Sequence, residues 1–285
     1  MDISDYETKE EFSGFLFTHP TYFDVDYVIN PYMDVDSEVS GARSNWLSTV
    51  RTVRKYSQTE TIDIESFDQT DTPIDELPDA VFCANHAMPV LGKDRFILAN
   101  MKHQERKGEI PYFRKWAEHN GFEIERVPDE FNFEGCGDAK WHPNHNVVWI
   151  GYGPRTDFGA VSEIRNMLDA KVIPLELTSG SYYHLDVCFT ILDESTAIVV
   201  QNGLSDNAYR KIKDTFESVL HVPKEDLDTM GGNSARVSSD TVMIDRHNQA
   251  TGELLKREGY KVEFVPTETF QKAGGSADCL FLRKP

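Results

Sequence analysis

What most constrains this chain is one recurring pattern. Strand, turn, strand, helix and strand follow one another several times, at intervals of roughly 40–60 residues, and no Gly/Ser/Pro-rich linker or low-complexity tract divides them. Such alternation specifies an α/β fold. The absence of a linker predicts one catalytic-sized domain over residues 1–285. Strands are expected over 15–17, 80–82, 95–99, 147–150, 185–192, 196–200, 241–244 and 280–282, from β-branched and aromatic runs bounded by turn residues. Helices are expected at 40–57, 109–120, 159–169, 206–219 and 248–258, where apolar residues recur near helical spacing. The repeat is one of pattern, not of residue identity. Two of these helices end in a glycine followed by an aromatic, Gly121-Phe122 and Gly259-Tyr260, which suits a left-handed cap before a new strand. A repeat of this kind could close into a ring of modules around a central pocket.

At 285 residues the chain can bury a sizeable core without disulfides or metal. A hydrophobic fraction of 39%, with 17 Phe and 11 Tyr, excludes a disordered or collagen-like chain. No apolar run approaches the ~18 residues of a spanning helix. The acidic, polar start from Met1 to Glu10 lacks the pattern of a secretory signal, so a cytoplasmic location is expected. Forty-eight acidic against 29 basic residues give a net charge of −19. That balance repels phosphate backbones and anionic lipid, arguing against nucleic acid and membrane as partners. It is explained by solubility or adaptation to salt, and it could also draw a cationic small molecule inward. Cys83, Cys136, Cys188 and Cys279 show no metal-finger spacing, and disulfides are not expected in a cytosolic chain.

Several segments carry residues able to do chemistry. Cys279 lies in a small-residue turn, Ala273-Gly274-Gly275-Ser276-Ala277-Asp278-Cys279. Paired glycines allow a ligand close approach, which would put a nucleophilic thiol at the mouth of a pocket; a packed core thiol is the other reading. In an extended strand through Tyr183-His184-Leu185-Asp186, His184 and Asp186 point to one face. They would supply a proton shuttle there, unless the histidine is simply satisfied within a sheet. Glu134 stands between aromatics and a Gly-x-Gly turn in Phe133-Glu134-Gly135-Cys136-Gly137-Asp138, where a carboxylate could grip a desolvated cation. That turn lacks the third glycine of a dinucleotide fingerprint. Asn85 ends the segment Pro78-Asp79-Ala80-Val81-Phe82-Cys83-Ala84-Asn85, either as a turn former or as a binding group. Arg106 and Arg155 present the fork that matches a carboxylate, or are solvated charges. His142-Pro143-Asn144-His145 lacks the further ligands of a metal site, and no Gly-x-Ser-x-Gly elbow or phosphate loop is present.

Taken in order, Pro78-Asp79-Ala80-Val81-Phe82, Arg106-Lys107-Gly108-Glu109, Phe133 to Asp138, Arg155-Thr156, His184-Leu185-Asp186 and Gly274 to Cys279 resemble successive motifs of the guanidino-group modifying superfamily, the penteins. The superfamily includes arginine deiminases, dimethylarginine dimethylaminohydrolases, arginine dihydrolases and amidinotransferases. The resemblance runs from Asp24-Val25-Asp26-Tyr27-Val28-Ile29-Asn30-Pro31 nearly to the end. It implies a pentein α/β-propeller of five ββαβ-like modules around a pseudo-fivefold axis. It also implies that Cys279 is the nucleophile, His184 the general acid/base, and Glu134 and Asp186 the carboxylates that bind guanidinium. Arg106 and Arg155 would take a substrate α-carboxylate, with Asp79, Asn30 and Asn85 beside them, and neither metal nor organic cofactor is required. Asn85 departs from the Asp usual in deiminases and dimethylarginine hydrolases. Phe82-Cys83-Ala84-Asn85 looks like the arginine dihydrolase branch, which takes arginine to ornithine, carbon dioxide and two ammonia. The alternatives are hydrolysis to citrulline, amidino transfer, and a non-catalytic guanidino-compound binder. The implied partner is a small guanidino molecule, with a homo-oligomer left open.

Overall fold

The computed structural model describes residues 3, 5–6, 12–63, 65–67 and 71–285. Among them, strands form five sheets of three. The first sheet contains β1 (Gly14–Thr18) and β2 (Thr59–Ile62); the second β3 (Ala87–Pro89), β4 (Arg95–Leu98) and β5 (Glu123–Arg126). The third contains β6 (Ala139–Trp141), β7 (Val147–Tyr152) and β8 (Lys171–Glu176), and the fourth β9 (Phe189–Ile191), β10 (Thr196–Val199) and β11 (Ser218–His221). The fifth contains β12 (Ala235–Arg236), β13 (Thr241–Asp245) and β14 (Lys261–Val265), after which β15 (Phe281–Lys284) returns to the first sheet.

Each module has the same logic. A central strand pairs antiparallel with an inner strand and parallel with an outer one, as β7 does with β6 and β8. A parallel pair requires a crossover, supplied in turn by α1 (Ala42–Val53), α2 (Glu109–His119), α3 (Phe158–Met167), α4 (Asp206–Lys213) and α5 (Gln249–Arg257). This is the ββαβ module of the pentein propeller. The first module is completed from the far end of the chain: β15 pairs antiparallel with β1, setting Leu16 opposite Leu282. β4, β7, β10 and β13 begin at 95, 147, 196 and 241, which is the period expected from the sequence; β1, which begins at 14, stands further ahead of β4 because irregular turns precede β3.

Local chemistry explains most of these elements. Val147-Val148-Trp149-Ile150 is apolar throughout and buried throughout, as a central strand covered on both faces must be. Phe113 and Trp116 of α2 fold over the second sheet, with Phe113 5.2 Å from the ring of Phe96 in an edge-on contact. Ser205 Oγ caps α4 by accepting from the Ala208 N–H at 3.2 Å. Gly121 and Gly259 adopt φ 84° and 96°, the left-handed caps expected of them.

One expected strand is absent and another is shortened, and both segments carry site residues. Residues 80 and 81 fall in the 3-10 turn Pro78–Val81, which Phe82 joins to a second, Cys83–His86. Pro78 has no N–H to give a ladder and presets φ for the first helical position. Residues 185–187 form another such turn, because the Leu185 N–H is taken by Asp138 Oδ1 at 3.0 Å; only Phe189–Ile191 is strand. The helix expected over 206–219 stops at Lys213, and its last residues enter β11. Among the described residues no helix is long and apolar enough to cross a membrane.

The corrected segments reveal where a site can form. The inner strands β3, β6, β9, β12 and β15 each follow a short turn, and the turns pack against one another at one end of the modules. Two residues before the inner strands stand Asn85, Gly137, Val187, Asn233 and Cys279.

Candidate active site

A narrow cavity at this end is lined by Cys279, His184, Asn85, Arg106, Arg155 and Asp79, with Asn30 and Tyr183 at its wall. The cavity thus joins eight positions from widely separated stretches of the chain. The sulfur of Cys279 donates to Asp186 Oδ2 at 3.2 Å and accepts from Asn233 Nδ2 at 3.2 Å. Burial, with the Asp186 carboxyl beside it, pushes the Cys279 thiol well above its ordinary range. The resting group is therefore a thiol. Burial also raises Asp186, to about 7, against the pull of Lys140. Asp186 Oδ1 is buried without a hydrogen-bond partner.

His184 Nε2 lies 2.7 Å from Glu134 Oε2. Burial lowers the ring to about 4 despite that carboxylate, so the imidazole is neutral near pH 7. An ionised carboxylate only accepts, so Nε2 carries the hydrogen and Nδ1 keeps a free lone pair. Glu134 is fully buried. Burial opposes its charge, but Arg155 and His184 hold it well below the ordinary carboxylate range. Its other oxygen accepts from the Lys102 N–H at 3.1 Å, and Arg155 Nη1 donates to Oε2 at 2.9 Å. Both oxygens of Glu134 are thus in use. Asp186 has the acceptor to spare.

His184 and Asp186 do not share a strand face, as expected of an extended segment. The 3-10 turn between them sends His184 to Glu134 and Asp186 to Cys279, which brings both into the site by a different route. Gly137 permits this crowding. A Cβ there would overlap Asn85 Nδ2 and lie 3.2 Å from His184 Nδ1.

On the wall of the same cavity, Arg106 grips Glu109 through Nε and Nη2, both at 2.8 Å, and Nη1 donates to Asn85 Oδ1 at 3.0 Å. Asn85 Nδ2 is 3.5 Å from the Glu134 carbonyl. Asp79 accepts from Tyr27 OH at 3.0 Å through Oδ2, while Oδ1 is buried without a partner. Burial raises its pKa to about 7, against Arg106. Arg155 lies over the Tyr183 ring at 4.7 Å and donates to the Ile29 carbonyl. Asn30 is held by the Ala273 carbonyl and the Tyr32 N–H. His142 sits apart, with Nε2 on the Glu194 carbonyl. Cys83, Cys136 and Cys188 are buried free thiols in other contacts.

The sequence reading quoted Glu109 within a motif but gave it no role, and it passed over Lys102 and Asn233. Glu109 could have been found from its three-residue spacing to Arg106; Lys102 acts through its backbone and leaves no side-chain signal. Asn233 shows only when the five modules are superposed.

A sequence profile described as N,N dimethylarginine dimethylhydrolase, eukaryotic, matches residues 20–283. The chain belongs to this family, within the pentein superfamily. Among similar proteins of this superfamily, the bifunctional arginine dihydrolase/ornithine cyclodeaminase ArgZ of Synechocystis sp. is 32% identical over 93% of the chain, which spans 36% of ArgZ. The N(G),N(G)-dimethylarginine dimethylaminohydrolase of Mycobacterium tuberculosis is 29% identical, over 93% of the chain and 83% of its own. The chain thus spans little more than a third of the cyanobacterial relatives. In structure, it superposes on the N-terminal domain of ArgZ with a TM-score of 0.86 and 31% identity, covering 94% of this pentein and 97% of that domain. That domain was crystallised as a cysteine-to-serine variant bound to substrate and is described as an arginine dihydrolase. A dimethylarginine dimethylaminohydrolase from Pseudomonas aeruginosa, 16% identical with a TM-score of 0.76, shares the fold.

Proposed function

We propose that this pentein is a cysteine-dependent hydrolase of the guanidino group of arginine, an arginine dihydrolase acting through a covalent intermediate on Cys279. The observation that carries the reading is the cavity itself. A thiol, a neutral imidazole with a free lone pair, and the Asp79 carboxyl with a partnerless buried oxygen line one small space, and Asp186, with a second such oxygen, lies directly behind the sulfur. A cation with several N–H groups satisfies such oxygens; water-soluble neutral molecules without donors do not. The likeness to the N-terminal domain of ArgZ supports the same substrate.

The chemistry follows from the charge of the substrate. Guanidinium is planar and a poor electrophile, so it must be fixed while sulfur attacks its central carbon. Asp186 binds one edge. Glu134 takes another N–H where Arg155 Nη1 now rests, and Arg106, Arg155, Asp79 and Asn30 hold the amino-acid end. The bound cation offsets the carboxylate charge that opposes a thiolate, and the thiol proton passes to neutral His184. Sulfur then forms the C–S bond, and His184 returns the proton to the departing nitrogen, which leaves as ammonia. Neutral again, His184 takes a proton from water as the water oxygen bonds to carbon; the C–S bond then breaks with its electron pair on sulfur, which recovers the proton from His184, and the added hydroxyl loses its proton to solvent, giving citrulline.

Asn85 distinguishes one round from two. Its amide both donates and accepts, so it can hold the neutral ureido group of citrulline where a carboxylate suits only a cation. A second attack releases a second ammonia and leaves a thiocarbamate, which water cleaves to a carbamate that falls apart to ornithine and carbon dioxide. Incubation of the purified protein with arginine, with Cys279→Ser as the blank, should give ornithine and two ammonia per arginine. Asn85→Asp should shift the product to citrulline. Citrulline as the sole end product of the unmodified protein would defeat the dihydrolase reading and leave a single-round hydrolase.

A further inference from the structure

We propose that Asn233 is a catalytic residue of this site, its side-chain amide donating to the Cys279 sulfur and stabilising the anion that attacks. This rests on the reading of Cys279 as nucleophile and adds a group that the motif comparison does not contain. Asn233 Nδ2 lies 3.2 Å from Cys279 Sγ and 3.1 Å from the Asp186 carbonyl, while Asn233 Oδ1 accepts from the Asp278 N–H at 2.9 Å. Those contacts fix the amide orientation. A flipped amide would set its oxygen against the Asp186 carbonyl and its N–H groups against the Asp278 N–H. The donor therefore faces the sulfur.

The segment bearing Asn233 is built for this placement. Gly232 approaches the Val187 carbonyl so closely that a Cβ would overlap it, and Met230 before it holds a left-handed φ of 58°. Strained backbone of this kind persists where surrounding contacts impose it. Thr190 Oγ1 reaches the carbonyls of both Gly232 and Ser234, at 3.1 and 2.9 Å. Asn233 is itself 1% exposed, and it occupies in its module the position that Cys279 and Asn85 occupy in theirs.

In the resting state sulfur donates to Asp186 and accepts from Asn233. When the thiol loses its proton the sulfur keeps the electron pair, and the contact to Asp186 changes from a hydrogen bond to a repulsion. The Asn233 bond then becomes charge-assisted, the stronger kind. It is the contact that improves along the reaction, as a catalytic interaction must.

The test is the pH dependence of alkylation of Cys279 by iodoacetamide, in which sulfur bonds to the methylene carbon and iodide leaves. It needs no substrate, so it fails independently of the arginine assignment. Asn233→Asp keeps the acceptor for Asp278 and loses the donor; Asn233→Ala loses both. Each should raise the midpoint of alkylation by about one pH unit or more and lower kcat for arginine by roughly tenfold to a hundredfold with KM changed little. An unchanged midpoint overturns the proposal, even if turnover falls, because a purely structural role predicts that pattern. Should neither variant fold, the side-chain amide proton of Asn233 in the unmodified protein, followed by NMR with labelled asparagine, must shift with the alkylation midpoint. A flat signal would overturn the assignment equally.

Discussion

Asp186 concentrates the electrostatic tension of the site. Its carboxyl is buried, one oxygen has no partner, and its pKa is raised to about 7 from an ordinary 3.8. The folded protein therefore holds a proton there that the unfolded chain has lost between about pH 4 and 7. Stability from this group is full below the unfolded value and falls as pH rises through the folded one. His184, lowered to about 4, works the other way over part of that window, so the net profile of the unmodified protein hides both. A comparison exposes the first. Asp186→Asn should gain melting temperature relative to the unmodified protein as pH rises from 4 to 8, by several degrees, while losing turnover; parallel melting curves at both pH values would contradict the assigned burial cost. Cys279, His184 and Glu134 were legible in the sequence as types at motif spacing. The hydrogen bond between His184 and Glu134 was not, because their partnership spans 50 positions and depends on a turn that period-two patterning reads as strand.

Elements rather than single residues decide which groups meet. Short turns ahead of β3, β6, β9, β12 and β15 deliver the side chains, and the strands behind them supply rigidity. Apolar runs such as 147–150 and the capped helices announced themselves, since continuous burial and left-handed glycines leave clear marks. The turns did not. Phe82-Cys83-Ala84-Asn85 and Leu185-Asp186-Val187 contain β-formers, yet their backbone groups are spent on Asp138 and on local 3-10 bonds. Gly137 is the element-level hinge of the arrangement, because a methyl there meets Asn85 and His184 together. Gly137→Ala should lower kcat/KM for arginine by about a hundredfold or more while the melting temperature falls only modestly. Retention of full activity would show that Asn85 and His184 need not approach so closely.

At the scale of the molecule, the ring is closed by pairing its last strand with its first. Leu282, fully buried, faces Leu16 across that junction, and β15 carries the turn with Cys279. Closure and the placement of Cys279 are thus coupled through one strand. Leu282→Asp should cost roughly 3–5 kcal/mol by burying a charge without a partner, read as a lowered denaturant midpoint with faster hydrogen exchange over residues 14–18. An unchanged midpoint would mean the junction bears little of the stability. The fivefold repeat was visible as rhythm alone, since the modules share pattern while their turn residues differ, from Asn85 and Asn233 to Gly137, Val187 and Cys279. Those differences give one end of a pseudosymmetric ring an asymmetric cavity, and with it an orientation for a substrate. The most direct measurement is intact-protein mass spectrometry after rapid acid quench during turnover of arginine. The account predicts an adduct of arginine less ammonia, mapped to the peptide containing Cys279 and absent from Cys279→Ser. Steady turnover by Cys279→Ser, or an adduct carried on another residue, would contradict it.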